Sequence, residues 1–113
     1  MTEGIGIDRV TLNFEEAQID GAINVKDDTE CVEMAYHLKK HDGISIGPSA
    51  ALNVVGAVKL AKKLGPGKTI VTVLCDAGHR YNSKLYNKTW LAEKNLVPKY
   101  TEGNDSLDLK WIS

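Results

Sequence analysis

No apolar run in these 113 residues approaches the roughly 18 needed to span a membrane. Cysteines number only two, Cys31 and Cys75, too few for a disulfide framework and in keeping with a reducing compartment. Charge of one sign is also missing. The formal net charge is −1, so the basic surplus that marks a nucleic-acid surface is absent. Aromatics make up only 6% of the chain, and no internal repeat or low-complexity tract appears. The N-terminus has neither an apolar signal core nor the Arg- and Ser-rich pattern of a transit peptide. What remains is 42% hydrophobic and 26% charged, an ordinary globular balance at a length that permits one domain.

The first twenty residues read as loop. Ala22-Ile23-Asn24-Val25 is a short strand candidate closed by Asp27-Asp28. A helix follows from Asp28 or Thr29, either of which can cap it, to Lys39-Lys40-His41, with Gly43 as a left-handed stop. Ile44-Ser45-Ile46 is a second extended piece, ended by Gly47-Pro48. Ser49 can cap the next helix, Ala50 to Leu64, which is apolar on most faces and reads as buried. Gly65-Pro66-Gly67 stops it. Thr69 to Leu74 then reads as a strand buried on both faces, the pattern of a parallel sheet. A short helix is expected around Lys88 to Asn95, and residues 98–113 read as a polar, loose tail after a domain over 1–97. This alternation predicts an α/β class with a three-layer αβα architecture and a partial, mostly parallel sheet.

Several motifs have sufficient structural explanations. Gly67-Lys68-Thr69 lacks the first glycine of a phosphate loop and runs from helix to strand rather than the reverse. Gly4-Ile5-Gly6 lacks the third glycine of a dinucleotide fingerprint. His37 and His41 share a helix face but suit its C-terminal dipole better than a metal, and no metal site is assigned. Cys75 and His79, four apart at the end of an expected strand, lack a third orienting group for nucleophilic chemistry. Asp76 is either a loop cap or a pocket-lining group. Ser49 at a helix N-terminus can cap and also face an electron-rich ligand.

Glu3-Gly4-Ile5-Gly6, Gly47-Pro48-Ser49-Ala50-Ala51-Leu52-Asn53-Val54 and the block from Gly65 through Cys75-Asp76-Ala77-Gly78-His79-Arg80-Tyr81-Asn82-Ser83-Lys84 to Tyr86 occur in order. Together they resemble the C-terminal part of the cysteine synthase and cystathionine β-synthase family, pyridoxal-phosphate enzymes of fold type II related to the tryptophan synthase β chain. The G-P-S-A-A-L-N form is similar to a fungal cysteine-synthase-like branch. The resemblance runs from Thr2 to about Leu96.

It implies β-replacement on an O-activated serine to make cysteine, with pyridoxal 5′-phosphate as cofactor and an amino-acid substrate. Ser49 would meet the pyridine nitrogen. Gly4, Ile5 and Gly6 would line the pocket, and Asp76, between Cys75 and Ala77, would lie below the ring. The family's Schiff-base lysine, its glycine- and threonine-rich phosphate loop and the asparagine segment at the ring hydroxyl have no counterpart in the chain. No catalytic residue is therefore assigned, and the chain alone is expected to be inactive and to hold the cofactor poorly. The resemblance implies a homodimer or a complementing N-terminal part, in the cytoplasm or mitochondria. The competing expectation is a non-catalytic α/β module that docks on such a part or on an intact paralogue.

Overall fold

The computed structural model describes residues 9–25, 27–101 and 109–112. Its elements are helical: α1 (Leu12–Glu16), α2 (Asp28–His41), α3 (Pro48–Leu64), a single 3-10 turn (Gly78–Tyr81) and α4 (Lys88–Glu93).

The expected parallel sheet is not there. Among the described residues no strand forms, and the only β pairing is one isolated antiparallel bridge between Ile46 and Ala77. The three stretches read as strands fail for a common reason. Strand propensity expresses fit to a neighbouring, half-buried pleated surface, and among the described residues the Ile46–Ala77 bridge is all the pairing that such a surface supplies. In the run from Thr69 to Leu74, Val71 is 87% exposed and Val73 65% exposed, so burial on both faces is also overturned. The three-layer αβα reading is replaced by a helical arrangement joined by extended segments.

The helices follow their local chemistry closely. Asp27, one residue earlier than expected, caps α2 by accepting the Thr29 N–H at 2.6 Å and the Thr29 hydroxyl at 2.5 Å. These bonds, the hydroxyl's first, hold the Asp27 carboxyl below its ordinary range. Lys39, Lys40 and His41 occupy the last turn, where the helix dipole favours cations. Gly43 follows at φ +68.

At α3 the expected Ser49 cap is corrected. Pro48 takes the first helical position, which its fixed φ and missing N–H suit, so the cap moves back to Gly47. Thr11 caps α1, a helix in a region read as loop, by accepting the Phe14 N–H at 3.2 Å.

The core is the seam between α2 and α3. Cys31, Val32, Met34 and Ala35 meet Ala50, Ala51 and Val55, and Ile46, Leu85, Leu91 and Ile112 close the ends. Lys59 of α3 pairs with Glu30 of α2 at 3.0 Å along this seam. Only one face of α3 is fully buried. Its other side, at Gly56, Ala57, Leu60 and Leu64, borders an open cleft of about 690 Å³ shared with Gly21, Ile23, Ile70 and Val71.

The C-terminal residues are tied to this seam. The buried Glu33 carboxylate accepts the backbone N–H groups of Lys99, Tyr100 and Thr101 at 2.7, 2.8 and 3.1 Å. Lys40 donates to the Thr101 carbonyl at 3.1 Å. Lys62 donates to the carbonyls of Leu109, at 2.8 Å, and of Ile112.

Candidate functional site at the start of the third helix

Of the residues singled out from sequence, Ser49 and Asp76 fall in one region, while Gly4, Ile5 and Gly6 lie outside the described residues. The region is the N-terminus of α3 and the segment 73–81 folded against it. Backbone pairing and side-chain hydrogen bonds stitch them together. The Ile46–Ala77 bridge aligns the two backbones, the Gly47 N–H donates to the Asp76 carbonyl at 3.2 Å, and the Gly78 N–H donates to the Ser45 carbonyl at 3.1 Å. Asn53, one turn beyond Ser49, donates its side-chain amide to the Val73 carbonyl at 2.9 Å and to Cys75 Sγ at 3.3 Å.

The approach is close enough to require glycine at two points. A β-carbon on Gly47 would collide with Asp76 Oδ1 and lie 2.6 Å from Tyr81 Cε2 and 2.8 Å from Asp76 Cγ. One on Gly78 would collide with Ser45 Oγ and lie 2.6 Å from Tyr86 Cε2. Neither glycine is needed for a left-handed backbone; both are needed because another chain segment fills the space where a side chain would go.

Tyrosines hold the region from below. The Tyr81 hydroxyl donates to Asp76 Oδ2 at 2.6 Å, while Asp76 Oδ1 is buried without a partner among the described residues. Tyr86 donates its hydroxyl to the Ile46 carbonyl at 2.7 Å and accepts the Ile46 N–H at 3.3 Å. Tyr36 of α2 donates to the Leu85 carbonyl at 3.0 Å and packs on Tyr86 with ring centroids 5.6 Å apart. These tyrosines, with Gly47, Gly78 and Asn53, position the region, yet sequence reasoning gave them no role. The one signal was that all of them but Tyr36 fall within the two blocks Gly47 to Val54 and Gly65 to Tyr86.

Ser49 itself is half-buried, and α3 has no side-chain cap bond, so its hydroxyl is not engaged in capping. A 17-residue helix aims its positive end and its unpaired N–H groups at the same place. A hydroxyl there, over a backbone locked by the Asp76–Tyr81 pair, can hold an electron-rich ring atom or an anion.

The other sequence candidates have different places. The Cys75 sulfur meets Asn53 and, at 3.8 Å, the Val73 carbonyl, while His79 lies in the 3-10 turn. Cys31 is buried in the helical seam, where desolvation, reinforced by Asp28, Glu30 and Asp27, pushes its thiol up to about 12. Among the described residues no group of three or more His, Cys, Asp or Glu side chains could hold a metal ion. Nor, among the described residues, is any helix long and apolar enough to cross a membrane.

No protein-family profile matches the chain. Individual relatives do. It is 59% identical over 94 residues to a cysteine synthase of Dictyostelium discoideum, covering 83% of this chain and 25% of that protein. It is 49% identical over 110 residues to cysteine synthase 2 of Schizosaccharomyces pombe, covering 96% of this chain and 28% of that protein. With a cystathionine beta-synthase of Dictyostelium discoideum it shares 36% over 99 residues, covering 87% of this chain and 20% of that protein. The chain thus spans about a quarter of the length of these cysteine synthases.

Proposed function

The chain belongs, as a part, to the cysteine synthase and cystathionine β-synthase family, and from that premise we propose that it is the C-terminal portion of a cysteine-synthase-like enzyme working with pyridoxal 5′-phosphate. The whole enzyme would replace the β-substituent of an O-activated serine with a sulfur nucleophile to make cysteine. The kinship carries this reading, and the Ser49 hydroxyl at the α3 N-terminus, unused by any cap, supports it.

The residues present fit one wall of such a cofactor site. Ser49 offers a hydroxyl that no cap uses, at the positive end of α3, and would bond the ring nitrogen. Asp76, with Cys75 and Ala77, would border the ring from below. Its carboxylate is already turned onto Gly47 and Tyr81, so its part is to keep Gly47-Pro48-Ser49 in place. Gly4, Ile5 and Gly6 would line the pocket on the substrate side. The cofactor, when bound, supplies the electron sink for carbanion chemistry, and the protein's task is to bind, orient and tune it. A neutral hydroxyl at Ser49 places no positive charge beside the ring.

The chain carries no counterpart of the family's cofactor-bearing lysine or phosphate loop, so alone it would not turn over substrate. Mixing it with pyridoxal 5′-phosphate, reducing with borohydride and mapping adducts by mass spectrometry tests this. No stoichiometric lysine adduct and no β-replacement is the expected result; a single stoichiometric site with turnover overturns the inactivity. The assignment to a cysteine synthase is tested separately, by adding the N-terminal three-quarters of a relative and assaying cysteine formation from O-acetylserine and sulfide. Activity that appears only in the mixture, and falls with Ser49→Ala, supports it. Inactive mixtures in which the two parts bind each other refute it.

A second reading is favoured by the exposure of Val71 and Val73 beside the open cleft. The chain would then act without catalysis, docking on a separate N-terminal part or on an intact paralogue. Pull-down of such a partner without any gain of activity is its signature. In either case the two unpaired cysteines suit a cytoplasmic or mitochondrial setting.

A further inference from the structure

Away from the α3 N-terminus, the last turn of α2 carries an arrangement that neither capping nor the cofactor reading uses. His37 and His41 lie one turn apart with ring centroids at 4.5 Å and planes tilted by 52°. The Trp111 indole meets His37 edge-on at 6.1 Å and stacks on Tyr100 at 6.5 Å, and Ile112 beside it is buried in the helical core. His37 is only 7% exposed, and His41 Nε2 is buried without a hydrogen-bond partner among the described residues.

We propose that His37, His41 and Trp111 form an acid-sensitive latch, which fastens the C-terminal segment 109–112 onto α2 and releases it when the His37 imidazole takes up a proton from solvent.

The charges around the pair decide the direction. On α2, Glu33 and Asp42 face His37 with negative charge, and His41 faces it as a second titratable base. From the covering segment come the neutral rings of Trp111 and Tyr100, with Lys110 adjoining Trp111 in the chain. Lys40 reaches the Thr101 carbonyl, and from α3 Lys62 reaches the carbonyls of Leu109 and Ile112. Protonating His37 places a charge in a site that is buried and faces a second base, His41. That charge would sit under an apolar cover, its ring 4.5 Å from that of His41. Glu33 offers little relief, because its carboxylate already holds three backbone N–H groups.

The balance shows in His37, whose imidazole is held below its ordinary range by burial first and His41 second, against the weaker pull of Asp42 and Glu33. Folding therefore favours the neutral ring. The stability this group contributes is complete above the ordinary histidine value near 6.5 and is lost as the pH falls through the lower value in the folded chain. Opening the latch lets the His37 ring charge in water and exposes Trp111 and Ile112.

Amide exchange on the intact chain, corrected for the intrinsic pH dependence, tests the latch between pH 7.5 and 5. The Ile112 N–H, bonded to the Leu109 carbonyl at 3.0 Å, should lose its protection with the same midpoint as the His37 ring titration followed by NMR. The Lys99 and Tyr100 amides on Glu33, and the helical circular dichroism, should hold through that midpoint. In His37→Gln/His41→Gln the Ile112 step should vanish. The latch is overturned if His37 titrates while Ile112 stays protected, if the step persists in the double variant, or if the helices melt at the same midpoint. If the double variant does not fold, coincidence or divergence of the two midpoints in the unaltered chain decides the matter.

Discussion

Gly47 and Asp76, 29 residues apart in sequence, lie so close that no side chain fits between them. The Gly47 N–H donates to the Asp76 carbonyl at 3.2 Å, and a β-carbon on Gly47 would run into the Asp76 carboxylate. The backbone of Gly47, at φ −81, suits any residue, so the demand is wholly steric. Gly47→Ala should therefore destabilise the chain by about 1–3 kcal/mol through overpacking. Urea denaturation reads this out, and an unchanged midpoint would refute the close approach.

The carboxylate on the other side of that contact depends on Tyr81. Removing the Tyr81 hydroxyl leaves Asp76 Oδ2 without its 2.6 Å donor, next to an Oδ1 already buried without one among the described residues. Tyr81→Phe should cost about 1–3 kcal/mol for an unsatisfied buried group. Replacing Asp76 by Asn as well should recover part of that loss, since a neutral amide tolerates burial better. A double-mutant cycle in urea measures the coupling, and strict additivity would show that the bond contributes nothing.

How much of this was legible beforehand follows a physical divide. The α2 and α3 helices are specified locally, by Asp27 and Pro48 at their starts, cations in the last turns and Gly43 and Gly65 after them, and the sequence reading placed both. The sheet was misread because an apolar β-branched run such as Thr69 to Leu74 declares only a preference. Whether it is covered depends on neighbours far away in the chain, and here Val71 and Val73 face solvent. Ser49 was located at a helix start but taken for its cap, since the two-residue shift to Gly47 imposed by Pro48 is finer than the pattern. The contacts of Tyr36, Tyr81 and Tyr86 join residues from distant elements and leave no periodic trace. The N-terminal cap of α1 at Thr11 escaped notice because five residues are too few to show a helical stripe.

Glu33 shows the same long-range dependence in the C-terminal region. One buried carboxylate satisfies three successive backbone N–H groups, at Lys99, Tyr100 and Thr101. Glu33→Ala should lower stability by roughly 1.5–3 kcal/mol, the scale of hydrogen bonds to a charged group. It should also open the chain beyond Pro98 to limited proteolysis. Cleavage there at the same rate in both proteins would remove Glu33 from this role.

The two cysteines should separate cleanly by alkylation. Cys75 is exposed, whereas Cys31 is 1% exposed and its thiol is pushed up to about 12, leaving almost no thiolate at neutral pH. Iodoacetamide at pH 8 should modify Cys75 first and Cys31 only after denaturant is added. Peptide mass mapping checks the order, and equal native rates would show that α2 does not seal Cys31 in its seam.

Val71 tests the uncovered run directly. Thr69 to Leu74 carries no charge, proline or glycine, and is rich in β-branched residues, with Val71 87% exposed. A segment of this kind left open to solvent favours intermolecular β pairing. Val71→Lys removes nothing from the core, so the urea midpoint should stay within about 0.5 kcal/mol of the unaltered chain. The charge should nonetheless delay thioflavin-positive aggregation and weaken capture of any partner that docks beside the cleft. A large loss of stability would mean that Val71 is covered after all. Unchanged aggregation would place the sticky surface elsewhere, with the exposed Leu12 and Phe14 of α1 next to be tested.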